Sequence, residues 1–218
     1  MSWVFDFVRS TIGRKLLMAA SGLLLFGFVI AHLSGNLLIY QGPEAMNAYG
    51  EMLRKFPALL WGMRLGLLAA VAVHVWASTT LTVANRAARP VGYREEASAA
   101  STYASRTMWW SGPLLAVFVI YHLLHFTTGN AHPEFVPGDV YRNFVVGFQS
   151  PLASGFYIVA MLALGLHIRH GAWSMLQTVG LSHPRFDDLR RSVATAVASL
   201  IVIVEISFPV SVLTGFVE

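Results

Sequence analysis

Six of the eight histidines of this 218-residue chain fall inside long apolar stretches: His32, His74, His122 with His125, and His167 with His170. Neutral imidazole is an ordinary ligand for haem iron and other transition metals. Charged groups cost about 2.5 kcal/mol or more at the centre of a bilayer on insertion scales, so ionisable residues recurring in four consecutive apolar stretches ask for a common reason. A lone histidine in such a place is more often a hydrogen-bonded residue of a helix interface. One or more in each of four stretches points to axial ligation of iron. The chain has no cysteine, so thiolate-held zinc or iron–sulfur clusters are not available to it, and a redox metal would be held by nitrogen or oxygen. A zinc site built on the two His-x-x-His pairs lacks an Asp, Glu or Cys at suitable depth to complete a tetrahedron.

The elements that must position these residues are membrane helices. Hydrophobic residues make up 56% of the chain and charged residues only 12%, against about 25% charge in an average soluble domain, and mean hydropathy is +0.59. Five stretches reach the roughly 20 residues needed to cross a hydrocarbon core of about 30 Å. They lie near 16–40, 62–85, 107–128, 151–176 and 193–216, so the expected fold is an all-α integral membrane bundle of five transmembrane helices forming one domain over 1–218. The first stretch reads as a permanent helix and not a removable signal peptide, being too long and lacking a small-residue cleavage pattern.

Orientation follows from the basic residues. An N-terminus inside puts Arg9, Arg14, Lys15, Arg86, Arg89, Arg94, Arg106, Arg169, Arg185, Arg190 and Arg191 on one side and only Arg54, Lys55, Arg64 and Arg142 on the other. That bias predicts a cytoplasmic N-terminus in the cytoplasmic (inner) membrane. The net charge of +4 sits in short clusters between apolar runs and not on one aromatic-rich stripe, which argues for membrane lipid and against nucleic acid as the partner. Between the spans, residues 41–60 have room for a short helix across Glu44–Lys55. The apolar run Phe144–Phe148 in the loop 129–150 suits a segment lying along the membrane surface. The basic, Ala/Ser-rich loop 86–106 suits a solvated connection or a docking surface.

Helix direction gives each histidine a height. His32 and His122, on two spans that run outward, both come out roughly 7 Å beyond the midpoint, so they can share one iron. His167 lies roughly 6 Å to the inner side and His74 near the middle of its span, a second pair with a looser match. Ala160, Ala163, Gly171 and Ser174 recur at helical spacing with His167, as do Ala70, Ala77 and Ser78 with His74. Small residues admit a flat macrocycle, although ordinary helix packing also selects them. His125 and His170 share a helix face with His122 and His167 and are rivals for ligation, or else propionate, cross-helix or quinone-pocket contacts. Glu205, four residues before Pro209, is an intramembrane carboxylate and a functional candidate, with a protonated, hydrogen-bonded acid as the alternative. Arg14, Lys15, Arg64, Arg106 and Arg142 stand near span ends, where they anchor spans or pair with haem propionates.

The ordered set Ala-His-Leu-Ser-Gly-Asn at 31–36, Val-His-Val at 73–75, Ile-Tyr-His at 120–122, Gly-Phe-Tyr-Ile-Val at 155–159 and Gly-Ala-Trp-Ser at 171–174 resembles the cytochrome b subunit of the succinate:quinone oxidoreductase and fumarate reductase family, in its single-polypeptide, five-helix, dihaem branch. The resemblance covers most of the chain. It implies two haem b groups, with His32 and His122 on the distal one and His74 and His167 on the proximal one. Spacing from Gly112 and Gly155 within the resemblance favours His122 over His125 and His167 over His170. It further implies a flavoprotein subunit with FAD and an iron–sulfur subunit on the cytoplasmic face, with this chain passing electrons between them and menaquinone or ubiquinone. The chain alone would then not be the enzyme, and a higher oligomer of the complex is compatible with it. In some members a carboxylate near the start of the second span serves quinol chemistry. Arg54 stands there in this chain, and Glu51, one turn earlier, becomes the proton-handling candidate beside Glu44. Two other readings compete: a haem-free structural anchor, and a transporter using histidines as a proton or metal path, for which Glu205 and Pro209 are the only hints.

Overall fold

The computed structural model describes residues 2–88 and 103–218, so most of the basic connection 86–106 lies outside the described residues. Its helices are α1 (Ser2–Arg9), α2 (Thr11–Asn36), α3 (Pro43–Arg54), α4 (Pro57–Ala87), α5 (Tyr103–His122), α6 (Val140–Gln149), α7 (Pro151–Thr178) and α8 (Asp187–Leu213). A 3-10 turn at Leu37–Gln41 prolongs α2, and a π turn at Leu123–Thr127 prolongs α5. Among the described residues there is no strand.

The boundaries have local causes. The Ser10 hydroxyl accepts from the Gly13 amide at 2.9 Å and starts α2, because a side-chain oxygen there satisfies one of the helix's unpaired donors. Proline occupies the first turn of α3, α4 and α7, where its missing N–H is no loss. Gly42, at φ +96°, makes the sharp turn between the end of α2 and α3, a backbone region that a side chain disfavours.

Five segments are long and apolar enough to span a membrane: Thr11–Gln41, Pro57–Ala87, Tyr103–Thr127, Pro151–Thr178 and Pro184–Leu213. The all-α, five-span reading of the sequence therefore stands. Most helices begin several residues ahead of the apolar stretches, since hydropathy marks the hydrocarbon-depth core while backbone hydrogen bonding continues into the polar ends. Leu23, Leu65, Val117, Leu162 and Ile203, one on each span, are all more than half exposed. Apolar faces of that extent suit lipid and not water.

Four spans pack in sequence, side by side. Helix α2 packs on α4, α5 on α7, and α7 also touches α2; α8 packs along α7 and also touches α2. In order of contact the spans run α4, α2, α7, α5, and among the described residues α4 and α5 share no close backbone interface. Neither of the diagonal pairs, α2 with α5 or α4 with α7, forms a close backbone interface.

The end of the bundle that α2 reaches is closed by an aromatic core. Ile39, Met46, Phe144, Val145, Phe148, Tyr157, Phe208, Val212 and Val217 form one buried cluster. The apolar run Phe144–Phe148 lies on α6, which buries Phe144, Val145 and Phe148 in the bundle's end. Polar ties hold it there. Asn47 on α3 donates to the Asp139 carboxylate at 3.0 Å and accepts from the Tyr141 amide at 3.0 Å, and Arg54 donates to the Gly138 carbonyl at 3.1 Å. The expected short helix over Glu44–Lys55 is α3.

Candidate functional site

Across each diagonal, where the backbones stand apart, two histidine rings meet. His32 on α2 and His122 on α5 have ring centroids 5.7 Å apart at an interplanar angle of 85°. His74 on α4 and His167 on α7 have centroids 6.1 Å apart at 56°. Imidazole nitrogens at about 2.0–2.1 Å on opposite sides of one metal ion place their ring centroids about 6 Å apart. Both pairs stand near that spacing.

Helix geometry separates the two pairs along the bundle. Ser21 on α2 lies against His74, and His32 stands eleven residues further along the same helix, a rise of about 16 Å. On α7, Tyr157 lies against His122, and His167 stands ten residues further, about 15 Å. The agreement of two antiparallel helices fixes the levels. It also places His74 and His167 at one height, where counting from span midpoints had left a gap.

Hydroxyl groups hold two of the four rings by Nδ1. The Ser21 hydroxyl donates to the Leu17 carbonyl at 2.7 Å and stands 3.2 Å from His74 Nδ1. Its single proton is committed to Leu17, so His74 Nδ1–H donates to Oγ and Nε2 keeps its lone pair. His122 Nδ1 stands 3.2 Å from the Tyr157 hydroxyl. A metal-ligating histidine characteristically carries such a hydrogen bond on its other nitrogen. His32 stacks on Phe28, centroids 5.2 Å apart, and His167 Nδ1 is buried with no hydrogen-bond partner. Gly22 faces the second pair: a Cβ there would stand 3.2 Å from His74 Cε1.

The two rival histidines part company. His125, in the π turn after α5, is 1% exposed and its Nδ1 stands 3.1 Å from the Tyr157 hydroxyl. It stacks on Tyr121 and on His132, a cross-helix hydrogen bond within the aromatic core. His170 remains near the other end, its Nδ1 buried without a partner. It shares a cleft with Ala104, Arg169, Trp173 and Arg191. Trp173 Nε1 is likewise buried and unpartnered, with the Arg191 guanidinium 4.6 Å over its ring. Arg169 is steadied by its Nε donating to the Thr195 hydroxyl at 2.9 Å. Arg14, at the same end of the bundle, buries an unpartnered Nε, whereas Arg106 is exposed. These orphan donors are the kind of buried polar atom that calls for an acceptor.

The carboxylate candidates are not brought to the histidine pairs by any hydrogen bond or ion pair. Glu51 is exposed and pairs with Lys55 at 3.5 Å, and Glu44 is exposed. Glu205 is half-buried on α8, the span without histidine.

Tyr157, Ser21 and His132 are the residues that sequence reasoning missed. His132 donates from Nε2 to the Asn143 carbonyl at 2.8 Å and accepts the Glu134 amide on Nδ1 at 3.1 Å. It sits in a loop without periodicity, so nothing in its spacing marked it. Tyr157 stands ten residues before His167 and Ser21 eleven before His32, and those offsets acquire meaning only when neighbouring helices are docked.

Among the described residues, no group of three or more His, Cys, Asp or Glu side chains is placed to hold a metal ion. The two-imidazole sites are therefore incomplete as bare-metal centres. Each pair offers two imidazoles, which would serve a metal whose remaining ligands came from a macrocycle. No family model matches the chain, and no curated protein or solved structure is found to be similar to it.

Proposed function

We propose that this chain is a dihaem membrane cytochrome b, the anchor subunit of a complex of the succinate:quinone oxidoreductase or fumarate reductase type. The meeting of His32 with His122 and of His74 with His167 across helix pairs that are otherwise apart carries the proposal. Haem bound at such sites supplies reversible one-electron chemistry, tuned by its axial ligands and their hydrogen bonds. The chain's part is to present two neutral imidazoles from opposite helices at each level. Hydroxyls of Ser21 and Tyr157 stand at Nδ1 of His74 and His122, so a metal would be held through Nε2 of each ring. At the end where α2 begins, Arg169, His170, Trp173 and Arg191 offer donors suited to propionate carboxylates.

Two levels about 15 Å apart along the bundle suit relay of electrons across a membrane. On this reading a peripheral iron–sulfur subunit, with its FAD-bearing flavoprotein, docks on the cytoplasmic face where α2 begins, and menaquinone or ubiquinone is the membrane partner. The inner membrane is the location that the charge bias favours. The test is a reduced-minus-oxidised absorption spectrum with a pyridine haemochrome assay on the purified chain. The expected result is two b haems per chain. His32→Ala and His122→Ala should remove or alter one, and His74→Ala and His167→Ala the other; a well-folded wild type with no haem would overturn the proposal.

A further inference from the structure

The Tyr157 hydroxyl stands 3.2 Å from His122 Nδ1 and 3.1 Å from His125 Nδ1. A phenol has one proton to give and lone pairs to accept. Two nitrogens on one hydroxyl therefore cannot both accept from it: one receives the phenolic proton and the other donates its own N–H. This leaves two arrangements with both imidazoles neutral. In the first, His122 Nδ1–H donates to Tyr157 and Tyr157 donates to His125 Nδ1, so His122 Nε2 is a bare lone pair. In the second the roles reverse, His122 carries its proton on Nε2, and that nitrogen cannot ligate a metal.

The surroundings hold the hydroxyl between the two rings. Tyr157 is buried, with Phe118, Phe126 and Phe148 around its ring. His125 is clamped between Tyr121 and His132, and His132 is tied at both nitrogens, to Asn143 and to the Glu134 amide. A His125 fixed in this way keeps Nδ1 against the Tyr157 hydroxyl and does not swing toward the His32 level.

We propose that Tyr157 is a positioning residue for His122: of the two arrangements only the first leaves Nε2 bare to hold a metal, and in it Tyr157 accepts from His122 Nδ1–H and donates to His125 Nδ1. The inference rests on the dihaem reading. Of two histidines one turn apart, the shared hydroxyl lets only one at a time carry a bare Nε2, and His122 is the one that meets His32. It also makes His122 a stronger donor to metal, since a hydrogen bond from Nδ1–H raises imidazole basicity.

Tyr157→Phe removes the hydroxyl and keeps the ring, so the aromatic core stays filled. The experiment is a redox titration and a low-temperature electron paramagnetic resonance spectrum of the complete, purified protein, wild type beside Tyr157→Phe and His125→Gln. The haem lost in His32→Ala identifies the affected level. In Tyr157→Phe that haem should titrate at a higher potential with altered g values, and be retained about tenfold less tightly, while the other haem is unchanged and serves as the internal control. His125→Gln should keep two haems. Unchanged potential and spectrum in Tyr157→Phe would overturn the inference, as would equal changes in both haems or loss of a haem in His125→Gln. A wild type without haem overturns this inference together with the dihaem proposal, whereas a dihaem wild type with a silent Tyr157→Phe overturns this inference alone.

Discussion

Replacing Gly22 with valine should empty one of the two histidine levels and leave the other intact. A Cβ at Gly22 would meet His74 Cε1 at 3.2 Å and Nδ1 at 3.6 Å, so alanine alone would press the ring by a few tenths of an ångström. Valine adds two methyl groups, and in a helix its side chain has one strongly preferred rotamer, which leaves little room to evade the contact. The ring must move, and its bond to Ser21, already 3.2 Å long, has little slack before it ceases to be a hydrogen bond. Overpacking of this kind costs about 1–3 kcal/mol. Each 1.4 kcal/mol is tenfold in an equilibrium constant, so binding at the His74–His167 level should weaken by about five-fold to a hundredfold or more. On the dihaem proposal, haem per chain, measured by pyridine haemochrome after dialysis against apomyoglobin, should fall from about two toward one, with His74→Ala giving the same residual spectrum. Gly27→Val is the control, because nothing lies within 4 Å of the Cβ it would add. Full haem content and an unchanged spectrum in Gly22→Val, or equal loss in Gly27→Val, would refute the reasoning.

Two further outcomes follow from the packing. A Cβ at Gly165 would stand 2.4 Å from Val202 Cγ2, so Gly165→Val should force α7 from α8 and destabilise the bundle by about 1–3 kcal/mol, read as a lower midpoint of thermal unfolding in detergent. Asn143→Leu should release the loop before α6, because the Asn143 side chain accepts the Val136 amide at 2.8 Å and donates to the Val136 carbonyl at 2.7 Å; at about 1 kcal/mol for each hydrogen bond, hydrogen exchange in residues 133–138 should quicken while α7 stays protected.

The histidines illustrate how much the chain's order of residues carried and where it stopped. His32 and His122 were assigned one height from span direction alone, because a helix rises 1.5 Å per residue and a membrane gives every span a common midplane. The same arithmetic was weaker for His74, whose helix starts at Pro57 and not near residue 62. A shift of a few residues at a span end moves the midpoint by several ångströms. The loop run Phe144–Phe148 was recognised as apolar, but apolarity does not say whether lipid or protein covers it; contact with Phe208 and Tyr157 decides that.

What the sequence determined by itself is one-dimensional: five apolar spans and imidazoles on four of them, set by composition and the fixed rise of a helix. Which helices face each other across the diagonals, which of His122 and His125 meets His32, and which hydroxyls stand at His74 and His122 were decided only in the tertiary structure. Those depend on helix rotation and close packing, and residues such as Ser21 and His74, or Tyr157 and His122, are brought within hydrogen-bond distance by contacts that no local spacing along the chain encodes.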